Sequence, residues 1–449
     1  MRIILINPSY FTPEEAAIQW EKHKEAVRGG NMYYYPFEPP MGLASLYSYL
    51  KKTGHDVSII DMQGDHLPDD GLKKILADES PQIVGITAMT PTIRIALRAA
   101  AIVKAIHPEV PVIMGGVHPT VSPESVLLND CVNFVVRGEG EFVLEKFFSL
   151  GLNHPENIQG LCWKQKDGTP VITGKAVIID KLDSLPCPDY SSFPVEKYID
   201  YTQKLRGIRG ITMMVTRGCP YKCSFCAVKE TMGTLWRRLD PENAAKWMMK
   251  ICRKYDLEGI WFKDSTFNLN RGWTRTFADT LISNKNLYQF QINTRVDLIR
   301  EDEIILLKKA GLVQVDLGIE SGSPKTLKTL RKEISIQEIS SSVDLLKRQK
   351  IKVSGFFMIG VPGETEDDIS QTLELAKNLK LDRGSVSIFT PLPGSELYDI
   401  LAEEGKIDIC AESFKYHHFT EARESYCDVP IERLREIHDE MNGYFAKQC

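Results

Sequence analysis

Three thiols stand within eight residues of this sequence: Cys219, Cys223 and Cys226, in the run Thr216-Arg217-Gly218-Cys219-Pro220-Tyr221-Lys222-Cys223-Ser224-Phe225-Cys226. Three residues separate the first pair and two the second. One short loop can therefore wrap three sulfurs around one corner of a 4Fe–4S cubane and leave the fourth iron without a protein ligand. A zinc site is one alternative, but structural zinc normally takes four ligands and no further His or Cys lies close by. Core cysteines are the other, and a glycine- and proline-bearing loop is poor core material. The spacing predicts a cluster on Cys219, Cys223 and Cys226.

The elements that would carry this loop follow from periodicity. Apolar, β-branched runs recur at Thr212–Thr216, Gly259–Phe262, Gln289–Ile292, Val313–Gly318, Lys352–Met358 and Ser385–Phe389. Each of the first five leaves room for a helix before the next. Six such units over residues 211–395 predict an open, partial (β/α)6 barrel with its chemistry at the carboxyl ends of the strands. Residues 396–449 read as a short helical tail.

A second alternating series occupies residues 1–150, with strand-like runs at Arg2–Ile6, Val57–Ile60, Ile83–Thr87, Val110–Met114 and Val132–Val135. Met41–Lys52 and Ile93–Ile106 carry apolar residues at helical spacing. The pattern specifies an α/β domain with a doubly wound parallel sheet. Residues 12–38, including Met32-Tyr33-Tyr34-Tyr35-Pro36, read as an insertion after the first strand, on the binding edge. Residues 151–210 lack a clear period and read as a linker punctuated by Leu185-Pro186-Cys187-Pro188 and Phe193-Pro194.

A doubly wound sheet binds its ligand at carboxyl-end loops where the strand order reverses. Here those loops are Pro8-Ser9, Thr87-Ala88-Met89-Thr90-Pro91, Gly115-Gly116-Val117-His118-Pro119-Thr120 and Arg137-Gly138-Glu139-Gly140-Glu141. Their small and hydroxylated residues let backbone approach a large flat ligand or its phosphate-linked tail. No G-x-G-x-x-G follows the first strand, so a dinucleotide is a poor candidate.

Composition narrows the class. A net charge of −5 argues against a broad nucleic-acid footprint, which needs a basic face. The ten cysteines are scattered apart from the one cluster, so reduced thiols and a cytoplasmic setting are expected rather than a disulfide framework. Ile3-Ile4-Leu5-Ile6 is too short for a signal-peptide core or a membrane span.

Across most of residues 211–395 the sequence resembles the radical S-adenosylmethionine (SAM) superfamily. The resemblance implies that SAM chelates the open iron. It places Phe225 near the adenine, and Asp264 and Ser265 in Phe262-Lys263-Asp264-Ser265-Thr266-Phe267, which receives the SAM amino group. It places Asn293 and Arg295, with Glu320 and Ser321 of Gly318-Ile319-Glu320-Ser321-Gly322-Ser323, in the ribose- and methionine-contacting turns. Pro362 belongs to the adenine-facing turn Ile359-Gly360-Val361-Pro362-Gly363-Glu364-Thr365, and Pro391-Leu392-Pro393-Gly394-Ser395 matches the turn after the sixth strand.

Joined to the amino-terminal domain, the pattern resembles class B radical SAM enzymes, which bind cobalamin. Pro39-Pro40-Met41-Gly42-Leu43 opens the matching helix. The resemblance implies cobalamin contacts at Pro8, Thr87, Thr90, Gly115, Gly116, Val117, His118, Arg137, Gly138 and Glu139. The axial-histidine motif D-x-H-x-x-G is missing, and neither His66 nor His118 fits it. Base-off cobalamin without a histidine ligand is expected, with His118 a hydrogen-bonded loop residue.

The implied activity is C-methylation of an unactivated carbon through a 5′-deoxyadenosyl radical and methylcobalamin, with an electron donor such as ferredoxin or flavodoxin. A cyclase or rearrangement enzyme of the same architecture is the alternative. A methylthiotransferase would need a second cysteine trio before residue 211, and a sensor need not keep every SAM-site turn. The short tail suits a bulky substrate, such as a peptide or protein segment. Tyr416-His417-His418 reads equally as a solvated turn or a substrate contact. Trp236-Arg237-Arg238 reads equally as a surface pair or as facing SAM or substrate carboxylates.

Overall fold

The structure is a computed structural model that describes residues 1–11, 15, 37–407 and 424–447. Most of the segment expected as an insertion, and Tyr416-His417-His418, lie outside the described residues.

Five parallel strands open the chain: β1 (Arg2–Asn7), β2 (Asp56–Asp61), β3 (Ile83–Thr87), β4 (Val112–Gly115) and β5 (Phe134–Val136). They lie in the order β2-β1-β3-β4-β5, so the winding reverses between β1 and β3. That reversal opens the crevice in which doubly wound sheets hold their ligands. Helices Met41–Lys52 and Ile93–Ile106 cover opposite faces, and β1 shows why: Ile3 and Leu5 join one core while Ile4 and Ile6 join another. The sheet runs past residue 150. The stretch expected as linker adds two antiparallel strands, β6 (Leu161–Lys164) and β7 (Pro170–Val171), beyond β5.

The second sheet is fully parallel. Strands β8 (Gly210–Met213), β11 (Gly259–Phe262), β12 (Gln289–Arg295), β13 (Leu312–Glu320), β14 (Lys352–Ile359) and β15 (Arg383–Ile388) neighbour one another in chain order, as an open half-barrel requires. The first strand is shorter than expected. After Met213 the chain leaves the sheet for a small hairpin, β9 (Thr216–Arg217) with β10 (Arg237–Arg238), and the three-cysteine loop is the excursion between its arms.

Alternation sorts the barrel's two faces. Ile211, Ile260, Phe290, Ile292, Val315, Leu317, Val353 and Val386 belong to one continuous apolar core under the helices. The intervening positions are mostly polar: Thr212, Gln291, Gln314, Asp316, Ser354 and Ser385. Gln291 and Gln314 both donate to Asp316, at 2.5 and 2.7 Å, which confirms that they share the inner face.

Helix Val195–Arg206 ties the two halves together. The Tyr198 hydroxyl donates to Asp61 in the first domain at 2.7 Å, and Arg206 donates to Gln291 in the barrel at 2.5 Å. The tail contributes helices Glu396–Glu403 and Ile431–Ala446, the latter stacking Phe445 on Phe357 of β14. No described helix is long and apolar enough to cross a membrane.

Candidate active site at the junction of the two domains

The cysteine loop is pinned from both sides. The Ser224 amide donates to Leu330 O at 3.1 Å and its hydroxyl to Thr329 O at 2.8 Å, while its carbonyl accepts from the Leu397 amide at 2.9 Å. The Cys226 amide closes a turn on the Cys223 carbonyl at 3.2 Å. All three sulfurs are free and half-buried. Burial pushes the Cys226 thiol up to about 11 and raises that of Cys223, so iron has to displace protons that these sites otherwise hold.

Cationic and hydroxyl groups surround the loop. Arg295 Nη1 lies 3.7 Å from Cys223 Sγ, Lys332 pulls against the rise of the Cys223 thiol, and the Thr266 hydroxyl lies 3.7 Å from Cys219 Sγ. Among the described residues no three His, Cys, Asp or Glu side chains converge on a single metal ion. Three soft thiolates on one loop beside hydrogen-bond donors fit an iron–sulfur cluster. Lys332 and Thr266 were not singled out from sequence. Lys332 follows a helix of the fourth unit, and nothing local shows that its ammonium returns to Glu320, 2.7 Å away.

The residues expected at SAM divide into two groups. Phe225 packs against the apolar cluster of Leu330, Val361, Phe389, Leu397 and Leu401, which brings it beside the turn containing Pro362. That turn is held by Glu364, which accepts from the Gly360 and Val361 amides at 2.6 and 3.1 Å and from the Thr326 hydroxyl at 3.2 Å. Ser265 is exposed at the carboxyl end of β11. Asn293 keeps a buried side-chain oxygen without a hydrogen-bond partner, a position that needs an external donor such as the ammonium of SAM. Glu320 sits at φ 67° and reaches Lys332.

Asp264 and Ser321 are bound into the fold, though Asp264 Oδ2 keeps no hydrogen-bond partner. Asp264 is fully buried, and its Oδ1 accepts from the Val215 and Thr216 amides at 3.0 and 2.5 Å, so it staples the segment leading into the cysteine loop. Ser321 is also fully buried, 2.9 Å from the Thr372 hydroxyl, and fixes its turn to helix Glu366–Leu379.

The cobalamin positions divide likewise. At the carboxyl edge of β3 and β4, Met89 and Val117 are 39% and 37% exposed beside half-buried Thr87, Gly115 and Gly116. This apolar, small-residue shelf, next to the β1/β3 switch point, fits one face of a large flat ligand. Pro8, after β1, is buried. His118 is fully buried with Nδ1 3.2 Å from the Thr90 hydroxyl, so both residues hold the loop's shape, as expected of a loop histidine. Gly116 serves the protein's own backbone: at φ 99°, a β-carbon would come within 2.8 Å of Ala88 O.

The protein's own chain engages groups of Arg137, Gly138 and Glu139. Arg137 donates to Thr120 O at 3.2 Å and to Thr173 O at 3.0 Å. Gly138 lies against Val177, whose carbonyl a β-carbon would meet at 2.2 Å. Glu139 receives a two-pronged contact from Arg237, at 2.8 and 2.9 Å. The returning connector and the barrel occupy this turn. Arg237 therefore does not face SAM or substrate, Trp236 donates to Thr266 O at 2.8 Å, and Arg238 stacks over Trp236.

The two faces meet. Short helix Val117–Val121, beside the shelf, packs against Val228–Thr231, immediately after Cys226, and Gly394 of the turn after β15 abuts both Val121 and Glu230.

Comparison with known proteins agrees with this arrangement. Residues 213–376 match the family model of the radical SAM superfamily, and residues 32–148 that of the B12 binding domain. An uncharacterised methyltransferase of Pyrococcus horikoshii is 32% identical over 402 residues, covering 89% of this chain and 83% of its own. An anaerobic magnesium-protoporphyrin IX monomethyl ester cyclase of Rubrivivax gelatinosus is 28% identical, covering 91% and 71%. The fold matches the radical SAM methyltransferase TsrM from Kitasatospora setae, solved with tryptophan and a SAM analogue, at TM-score 0.73 and 19% identity over 90% of this chain and 76% of that one. With a cluster loop, a SAM-cleaving half-barrel and a B12 sheet in one chain, the protein belongs to the cobalamin-binding radical SAM enzymes, and its cofactors are a 4Fe–4S cluster, SAM and cobalamin.

Proposed function

We propose that the enzyme methylates an unactivated carbon of a polar substrate, such as a residue in a peptide or protein segment. The observation that carries this reading is the packing of helix Val117–Val121 on helix Val228–Thr231, which puts the small-residue shelf after β3 and β4 beside the cluster loop. When bound, these cofactors supply a carbon radical and a transferable methyl group. A ferredoxin- or flavodoxin-type protein would reduce the cluster.

The chain's own residues aim that chemistry. Arg295 and Lys332 set positive charge against the cluster loop, and Glu364 holds the turn beside Phe225. The inner wall supports a polar substrate. Thr212, Gln314 and Ser385 are at most 8% exposed, and the Thr212 hydroxyl has no partner. Buried polar atoms of this kind favour a ligand bearing amide or hydroxyl groups over a tetrapyrrole edge.

Methyl-deuterated SAM tests the reading. Turnover of the true substrate should give S-adenosylhomocysteine and 5′-deoxyadenosine in comparable amounts, with labelled methyl in a product one methylene heavier. A cyclase or rearrangement is the second reading, favoured by the cyclase among the relatives. Productive turnover without S-adenosylhomocysteine would establish it instead.

A further inference from the structure

The Glu139 carboxylate stands where three segments of the chain meet. It stands three residues after the end of β5, which lies beside β4, the strand that delivers the Gly115-Gly116-Val117 shelf. Its Oε2 accepts from the Ile179 amide at 2.5 Å, and its own amide donates to Val177 O at 2.8 Å, so the returning connector is woven through it. Arg237, on one arm of the hairpin that carries the cluster loop, grips both carboxylate oxygens. Arg217, on the other arm, approaches Oε1 at 3.4 Å.

The two arms share a balanced set of charges. Arg217 also reaches Glu141 at 3.2 Å and Ser45 at 3.1 Å, and Ser45 donates to Glu141 at 2.8 Å. Arg237 adds donations to Ile179 O and Met232 O, both at 2.6 Å. Arg237, Glu139 and Glu141 are 6%, 8% and 4% exposed. Two guanidinium groups face two carboxylates, all but Arg217 buried and Arg217 itself only 18% exposed at its side chain. Two-pronged arginine–carboxylate contacts constrain orientation as well as distance, and a partner lost from a buried pair leaves an uncompensated charge.

The cluster loop begins two residues after Arg217 and ends before Arg237, so both of its ends hang from Glu139 and Glu141 of the cobalamin domain. We infer that Glu139 is a positioning residue: through Arg237 and Arg217 it sets the separation and orientation of the cluster relative to cobalamin. The inference rests on the two cofactors and not on methyl transfer, so it survives a cyclase outcome.

The test uses the full-length protein, reconstituted with iron, sulfide and hydroxocobalamin and reduced until cluster and cobalt are both paramagnetic. Pulsed EPR then reads the relaxation enhancement that the cluster imposes on cobalt, which falls steeply with distance. Two variants are compared with the parent, Glu139→Gln and the charge-balanced pair Glu139→Gln with Arg237→Gln. The pair leaves no unmatched buried charge, so it provides the reading if the single variant fails to fold.

The expected result for the pair is parental iron and cobalamin content with an enhancement reduced severalfold or spread over a wider range. A parental enhancement, with only a lowered melting temperature, would overturn the inference and leave an ordinary structural ion pair. Loss of either cofactor from the pair, or failure of the pair to fold, would overturn it too, because Glu139 would then be a binding or folding determinant.

Discussion

Arg295 lies over the ring of Tyr221, its guanidinium carbon 3.7 Å from the ring centroid, inside the loop that carries the cysteines. Contact at this range combines cation–π attraction with planar stacking, and it fixes the direction of the guanidinium fork. One prong points at Cys223 Sγ, another donates to Lys332 O at 2.6 Å, and Nε donates to Asp297 at 2.9 Å. A cationic donor aimed at a cluster sulfur favours the extra electron of the reduced state. Arg295→Ala should therefore assemble its cluster but lower the midpoint potential, and SAM cleavage should slow. An EPR-monitored redox titration checks this, and a parental potential would reject the role.

Each of Cys219→Ala, Cys223→Ala and Cys226→Ala should lose the 4Fe–4S absorbance and reductive SAM cleavage. Cys252→Ala should keep both, because Cys252 is buried in the apolar core under the barrel helices. Iron analysis and visible absorbance after anaerobic reconstitution separate the two groups. Retention of a full cluster by Cys223→Ala would remove the assignment.

Val117 tests the cobalamin shelf more cleanly than Gly116. A side chain at Gly116 meets the protein's own Ala88 carbonyl, whereas Val117 is exposed. Val117→Glu should cost stability no more than about 0.5 kcal/mol, as surface substitutions generally do. It should weaken cobalamin binding by setting a charge against the flat face. Hydroxocobalamin titration alongside a melting curve checks both statements, and unchanged binding would move the ligand elsewhere on the sheet edge.

Much of this was legible in the sequence. The barrel strands could be read because residues such as Ile292, Val315 and Leu317 alternate against polar neighbours, and the cluster because its three thiols are local. What the sequence leaves hidden shares one cause. Arg137-Gly138-Glu139 follows a strand and so lies on the ligand edge by rule, but its partners Ile179 and Arg237 come 40 and 98 residues later. The contact of Asp264 with the Val215 amide is hidden for the same reason, its partner standing 49 residues away. Local pattern reveals which face a residue occupies. The returning chain decides what its polar atoms are bound to.

Glu364 should give the apo-protein a measurable pH dependence. Burial raises its carboxyl from 4.5 to about 7, even though two backbone amides and the Thr326 hydroxyl favour the charged form. A carboxyl raised on folding binds its proton more tightly in the native state. Its contribution is therefore fully present below pH 4.5 and is lost as pH rises through about 7. Asp264, raised by burial from 3.8 to about 6, acts in the same sense over a lower window. Asp189, held down at about 2, loses its contribution only in stronger acid and leaves this window untouched. In Glu364→Gln the amide oxygen can accept from Gly360 and Val361 while the amide nitrogen donates to Thr326, so the turn keeps its contacts. A shift of that size corresponds to about 3 kcal/mol across the window. Denaturant unfolding of apo-protein at pH 5 and pH 8 should show the parent losing stability with rising pH, and Glu364→Gln losing distinctly less. Parallel losses in the two proteins would show that Glu364 ionises at an ordinary pH and that the turn beside Phe225 is held by a carboxylate throughout.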